Sequence, residues 1–461
     1  MDQARQRTFI ISGNLWRVMW SLSWPAVIAM VLFGLNTVFD AIFVGRFVGE
    51  AALAGVSIAY PLSTITLGLG SLIGVGAGSL LSIALGAQDT HTQQRLLGNV
   101  NFLGLIVSAI YTVGAVLFAV PLVRMMGGSG EALVLGADYF RVTSIGAVLW
   151  IYGVALNMIV RAEGKMKSAA WMMGTGLLIN IAFNYLFIVV FGWGVVGAAW
   201  GTNIGMAVYV LLGFWYFGGV RASFSAKLFA IRRDRQIVRS ILSMGASSLI
   251  MTVMSLLQAV VVYNALSRYG SVRELAFYGV VFRIMGLLMT PIFGLMRALQ
   301  PVVGINFGAG QNGRVVKGFW IFTAAALITI LPFWAVLMLF PNQALALMFP
   351  ATQFAAASIV NYRVFLLIIP LLPLVFMAMT FYPAIDKGGP AALIGIVRQL
   401  VFYVPVMLIL PRVFGVQWVY LGSLLIDVAV VVITVCMLLP EFGRLKRGQT
   451  RYAARTVAPG N

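Results

Sequence analysis

Twelve apolar runs divide this chain, and each is long enough to cross a bilayer, which takes about 20 residues of helix. They fall near 15–44, 51–85, 97–120, 134–158, 168–190, 195–217, 240–267, 275–303, 317–340, 356–382, 391–411 and 417–440. The runs are continuous, without the period-two alternation of a membrane β-barrel, so helices are expected. Several exceed what a bilayer needs, and tilt or projection into water follows. Only 9% of the residues are charged, against roughly 25% in soluble domains, too few to solvate a globular surface. A hydrophobic content of 61% also excludes disorder. The expected fold class is an all-α membrane protein with twelve transmembrane helices.

The net charge is 31 − 12 = +19. Its distribution points to membrane topology and anionic lipid rather than nucleic acid. One set of connections, with the two ends of the chain, holds 21 of the Lys and Arg residues, Arg161, Lys165 and Lys167 among them; the opposite set holds 5. By the positive-inside bias both termini are cytoplasmic, in a multi-pass protein of the inner (plasma) membrane. Met1 to Ile11 is polar and basic, so no cleavable signal peptide is expected. The single cysteine, Cys436, excludes an internal disulfide, and the single histidine, His91, excludes a multi-His metal site. No cofactor or metal is expected.

The two halves echo one another. Tyr139-Phe140-Arg141-Val142 in span 4 matches Tyr362-Arg363-Val364 in span 10, with 363 − 141 = 222. Gly86-Ala87 after span 2 matches Gly308-Ala309 after span 8, again with 308 − 86 = 222. Phe191-Gly192 matches Phe414-Gly415, and Gly201-Thr202 in span 6 matches Gly422-Ser423 in span 12. Six spans per half give both halves the same orientation, so a pseudo-two-fold axis along the membrane normal is expected, an arrangement that transporters use around a central cavity. The domain reading is a six-helix bundle over 1–220, a cytoplasmic linker over 221–239, and a second six-helix bundle with a basic tail over 240–461.

Asn157 and Arg161-Ala162-Glu163-Gly164-Lys165, followed by Asn180, Asn184-Tyr185 and Gly194 to Thr202, resemble a signature of the multidrug and toxic compound extrusion (MATE) transporters. Gln300-Pro301 through Gly304 and Asn306 to Gly308-Ala309-Gly310 is similar to the corresponding signature of the second half, and Ala384 to Gly388 with Arg398-Gln399 resembles the family's DinF-like branch. The resemblance covers nearly the whole chain. It implies two six-helix bundles in a V, alternating access, and efflux of organic, often cationic, compounds driven by inward H⁺ or Na⁺. The expected substrates are small hydrophobic or cationic molecules, with membrane lipid the only other partner; no nucleic acid is involved and the chain acts as a monomer.

Asp40 is the sharpest candidate for chemistry. A carboxyl in an apolar helix is costly when charged, the property a proton carrier needs. Asn36 is one helical turn earlier on the same face. Counting about 1.5 Å per residue, Asp40, Asn184 and Thr202 fall at similar depth, and Asn180 shares a face with Asn184. The resemblance implies that Asp40, Asn180, Asn184 and Thr202 form a cation or proton site. Such residues also serve as interhelical glue. Many DinF-like relatives carry an acid where this chain has Asn184. With one carboxylate left, H⁺ is favoured over Na⁺ as the coupling ion. Pro25 precedes Asp40 by fifteen residues and is the candidate helix hinge; the alternative is a proline tolerated in the first turns.

Asn36, Asn157 and Gln258 are expected to line the substrate cavity, although for Gln258 a bond to a neighbour is the slightly favoured alternative. Asp427 in span 12 is a second intramembrane acid, read as the partner of an arginine and otherwise as a further proton site. Arg141, Arg283, Arg297, Arg363 and Arg398 lie in spans, several near enough to an end to snorkel. Glu163 and Asp386 are expected to be solvated beside Lys165 and Lys387. The Gly74 to Gly78 stretch lacks the Lys-Ser/Thr of a phosphate loop, so it reads as close helix packing. Without an ATPase motif, an ion gradient is the expected energy source. A lipid-linked precursor flippase and a passive channel are the competing transport readings; a membrane enzyme would need a paired acid or His constellation that the chain lacks.

Overall fold

The computed structural model describes residues 3–219, 222–224, 227–346 and 355–450. Arg221 of the linker and Arg451 and Arg455 of the tail lie outside the described residues. Among the described residues there is no strand. Eleven helices are long and apolar enough to span a membrane, and a bent pair makes a twelfth. In chain order the spans are Leu15–Phe47, Glu50–Ala87, Thr90–Leu117, the pair Gly130–Ile145 and Ala147–Ala162, Met166–Val190, Gly194–Gly218, Arg235–Tyr269, Val272–Gly308, Asn312–Leu339, Ala356–Ala384, Gly388–Phe414 and Gln417–Lys446.

Polar residues punctuate the apolar runs and start the helices. Asn14 accepts from the backbone N–H of Trp16 at 3.0 Å and of Arg17 at 3.3 Å, capping span 1. Asp89 caps span 3 and Asp234 caps span 7 in the same way. Ser271 and Glu274 form a reciprocal capping box at the start of span 8.

The packing repeats itself. In the first half, span 2 packs on span 4, span 1 on span 5, and span 5 on span 6; spans 8 and 10, 7 and 11, and 11 and 12 do the same in the second. Across the seam, span 2 meets span 7 as span 8 meets span 1, and spans 2 and 8 meet each other. A side chain on Gly86 would run into the Ile305 carbonyl and come within 2.9 Å of the Ala309 nitrogen. One on Gly308 would meet the Ile83 carbonyl and the Ala87 nitrogen, the latter also at 2.9 Å. The offsets are 305 − 83 = 222 and 309 − 87 = 222, the same as in the sequence repeat.

Two features depart from a plain twelve-helix reading. Span 4 bends by 54° between its two segments. At the bend Gly146 leaves room for the Asn203 side chain, whose Nδ2 donates to the Val142 carbonyl at 2.7 Å. A short helix, Gln3–Ser12, precedes span 1 and straps the two halves together. Arg7 donates to the carbonyls of Leu85 (3.1 Å) and Gly86 (2.8 Å), and Gln6 to that of Gly164 (3.0 Å). From the other half, Arg314 donates to the carbonyls of Ile10 (3.0 Å) and Gly13 (2.8 Å).

Pro25 is the eleventh residue of span 1, well past the first turn, and is buried within a helix that runs on to Phe47. A proline there removes one helical hydrogen bond.

Candidate functional site

Spans 1, 5 and 6 bring Asp40, Asn36, Asn180, Asn184 and Thr202 into one hydrogen-bonded cluster. Asn36 Nδ2 donates to Asp40 Oδ2 at 3.2 Å, and Asn184 Nδ2 donates to Oδ1 at 2.6 Å. The Asn180 amide is oriented by its neighbours: its nitrogen donates to Asp40 Oδ1 (3.2 Å) and Asn36 Oδ1 (2.8 Å), and its oxygen accepts from the Thr202 N–H at 3.1 Å. The Thr202 hydroxyl lies 3.2 Å from the Asn180 amide and 3.0 Å from the Ala198 carbonyl, with one proton for the two.

Glycines make the cluster possible. A side chain on Gly205 would lie 2.7 Å from Asn180 Cβ, and one on Gly201 would strike the Asn184 amide oxygen. That oxygen is buried and has no hydrogen-bond partner. Directly after Asn184 the helix widens into a π segment, Tyr185–Val190, a feature frequent at functional sites.

The arrangement holds an ionised carboxylate with three N–H donors. Each amide can also rotate to present its carbonyl, to a protonated Asp40 or to a cation. Neutral amides can ligate an ion but contribute no charge, so Asp40 is the cluster's only source of negative charge.

Three cavities meet at Phe33 and Leu67, which line all of them. A cleft of about 1510 Å³, open mouth included, is lined by Asp40, Tyr60, Tyr139, Trp150, Thr202 and Arg283. A second, of about 670 Å³, has Asn36, Asn157, Asn180, Tyr209 and Arg297 in its wall. A third, of about 1100 Å³, lies between the halves; Met30, Met158, Met251, Met296 and Met379 line it together with Arg161 and Arg297. Asn157 lines the second cavity while its Nδ2 donates to the Ala169 carbonyl at 2.8 Å.

Other residues lie outside this cluster, some as the sequence suggested and some not. Gln258 is in none of the three cavity walls; its Oε1 accepts from Gln399 at 2.7 Å and from Arg398 at 3.5 Å. Arg398 pairs with Asp427 at 2.8 Å, so the second intramembrane acid has its arginine. Glu163, expected in water, is 2% exposed. It accepts from the Ser223 N–H at 2.6 Å and the Tyr216 hydroxyl at 3.0 Å, with Lys165 3.9 Å away. Burial holds its carboxyl above the usual carboxylate range. Arg161, counted among the connections, is 2% exposed and faces the cavity between the halves. Arg297 does not snorkel: it lies in the same wall, well inside span 8. A run of basic residues around the end of span 4 hid the first; nothing in the apolar pattern marked the second.

Twelve spans in two matching halves, a polar cluster around one intramembrane carboxylate, and cavities between the halves define a membrane carrier rather than an enzyme. The MatE family model matches residues 25–186 and 244–409. The chain belongs to the MATE family of membrane transporters. It is 25% identical over 428 residues to the multidrug export protein MepA of Staphylococcus aureus, covering 91% of this chain and 92% of that one. The MepA of Staphylococcus haemolyticus is 23% identical over 444 residues, 95% of each chain. Among solved structures, a MATE in the bent conformation superposes with a TM-score of 0.89 at 24% identity, over 96% of this chain and 98% of that chain. An outward-facing multidrug resistance MATE transporter gives 0.86 at 25% identity, over 95% and 98%.

Proposed function

We propose that this chain is a multidrug efflux transporter of the plasma membrane that exports small hydrophobic or cationic organic compounds in exchange for inward H⁺. Asp40 carries the proton; Asn180, Asn184 and Thr202 hold it in register, with Asn36 completing the cluster. The observation that carries the reading is the cluster itself: one carboxylate, neutral partners able to satisfy either protonation state, and a cleft reaching it. The similarity to MepA supports multidrug export. Residues 1–220 form the coupling bundle and 240–461 its counterpart, joined by the linker 221–239, with both termini cytoplasmic. Protonation of Asp40 changes its partners and bends span 1 near Pro25, closing the drug pocket; two solved relatives described in a bent and a straight conformation are in keeping with such a motion. Retention of full transport by Pro25→Ala would sink the bending step.

The test is dye efflux from proteoliposomes under an imposed H⁺ or an imposed Na⁺ gradient, with Asp40→Asn alongside. Efflux driven by the proton gradient alone and lost in Asp40→Asn is the expected result. Efflux driven only by Na⁺ would overturn the choice of ion. Indifference to both gradients would turn attention to lipid flipping.

A further inference from the structure

The cavity between the halves holds two guanidinium groups and no acid. Arg161 and Arg297 both line it, and among the described residues its wall contains no Asp or Glu. Nor does the wall of the adjoining cavity, which Arg297 also reaches. Neither arginine belongs to any ion pair among the described residues. Arg161 Nη1 is buried without a hydrogen-bond partner, and Nη2 has only the Met173 sulfur at 3.7 Å. The nearest acid in sequence, Glu163, is committed to Ser223, Tyr216 and Lys165 and lines a different cavity.

Charges buried in a membrane protein are expensive and are normally paired. Arg161 sits in the last turn of the Ala147–Ala162 helix, where the helix dipole favours a cation. Arg297 has no such support, because it is eleven residues from the end of span 8 at Gly308. The two guanidiniums and Tyr209 are within electrostatic reach of one another. Two like charges facing one space lined by methionines, hydroxyls and Gln300 leave a counter-ion missing from its wall, and they repel a bare cation.

We infer that this cavity is an acid-binding subsite, in which Arg161 and Arg297 hold the oxyanion (carboxylate or phosphate) of an amphipathic substrate while the methionines take its apolar body. The inference rests on the efflux reading and deepens it: among the exported compounds, those that carry an acidic group gain affinity here, and any positive group lies towards Asp40 in the neighbouring cleft. Planar guanidinium suits an oxyanion better than an ammonium does, because it offers two parallel donors.

Equilibrium binding to the purified full chain tests this with matched probes. Rhodamine B carries a free carboxylate and its ethyl ester does not. A fluorescent diacyl phosphatidate and the matching diacylglycerol form the second pair, so a lipid phosphate is told apart from a carboxylate. At least one acid is expected to bind about tenfold or more tightly than its neutralised partner, the scale of a hydrogen bond to a charged group. Arg297→Met loses that preference, and Arg297→Lys keeps part of it. Arg161→Met, checked for folding by its melting temperature, behaves as Arg297→Met does. Absence of a preference for the acid in both pairs, or no binding of either acid, overturns the subsite. Ester efflux in proteoliposomes is read separately, so a failed subsite and a failed efflux reading are distinguishable.

Discussion

Asn184 donates a hydrogen bond to Asp40 across spans 5 and 1 at 2.6 Å, while its amide oxygen, packed on Gly201, bonds nothing. An aspartate at position 184 would place a second carboxylate against the first, and two such groups cannot both stay ionised without a shared proton or cation. Asn184→Asp is therefore expected to gain a Na⁺ response that the wild type lacks. Melting curves in NaCl against choline chloride give the readout. Binding at a hundredfold excess over Kd stabilises by about 2.7 kcal/mol, enough to raise the melting temperature visibly. No difference between the salts in the variant would count against a cluster that can ligate a cation.

Gly205 supports Asn180 by having no side chain, since a Cβ there would lie 2.7 Å from Asn180 Cβ and from the Gly176 carbonyl. Gly205→Ala is expected to destabilise by about 1–3 kcal/mol through overpacking. Proton-driven transport falls further than the loss of folded protein explains, because Asn180 is pushed off Asp40. Thermal melts and transport per folded molecule separate the two effects.

Glu163 makes stability depend on pH. Its folded carboxyl is held above the ordinary value of 4.5 by burial, so the folded state binds the proton more readily than the unfolded one. The stability this contributes is complete below pH 4.5 and is lost as pH rises through the raised value. Glu163→Gln keeps the shape and abolishes the titration. The melting temperature of the wild type relative to the variant should fall between acidic and mildly alkaline pH; parallel curves would refute it.

Asp427 and Arg398 are a partner pair, with Gln258 and the Tyr403 ring also against the guanidinium. Asp427→Asn leaves Arg398 uncompensated, a change that costs about 3 kcal/mol when a buried pair is broken. A lower melting temperature with gradient-driven transport retained is expected. Loss of transport at unchanged stability would make Asp427 a second proton site.

The seam between spans 2 and 8 closes through glycine. Gly308→Leu should force Ile83 and Ala87 away and open the end that carries the termini. Maleimide labelling of Ile83→Cys, on a Cys436→Ser background, measures this. Ile83 is fully buried in the wild type. Slow labelling that becomes at least about tenfold faster is the expected outcome; an unchanged rate would mean the seam is not what keeps that end shut.

Asp40, Asn180, Asn184 and Thr202 stood out as polar side chains at similar depth in apolar runs, and the family resemblance implied that they form one site; the spans themselves followed from the length of those runs. The charges were harder. Arg161 lies beside Lys165 and Lys167, so a rule about connections absorbed it, yet the helix carries on and turns it inward. Glu163 looked solvated because the residues that bury it, Tyr216 and Ser223, are more than fifty positions away in the chain. Gln258 had two readings, cavity lining or a bond to a neighbour, and the neighbour, Gln399, comes from span 11. The bend at Gly146 depends on Asn203, and no local pattern announces a partner that arrives from another helix.

At the glycine seam Gly86 meets residues 305 and 309, while Gly308 meets residues 83 and 87. Residue i of one copy touching j of the other, with j touching i in return, is the signature of an isologous dimer. The seam therefore has, inside one polypeptide, the geometry of an interface between two equivalent six-span subunits. Elsewhere the halves differ: 222 positions after Asp40 stands Val262. At this interface each partner constrains its twin, so a side chain added on either side of the seam runs into the equivalent backbone on the other.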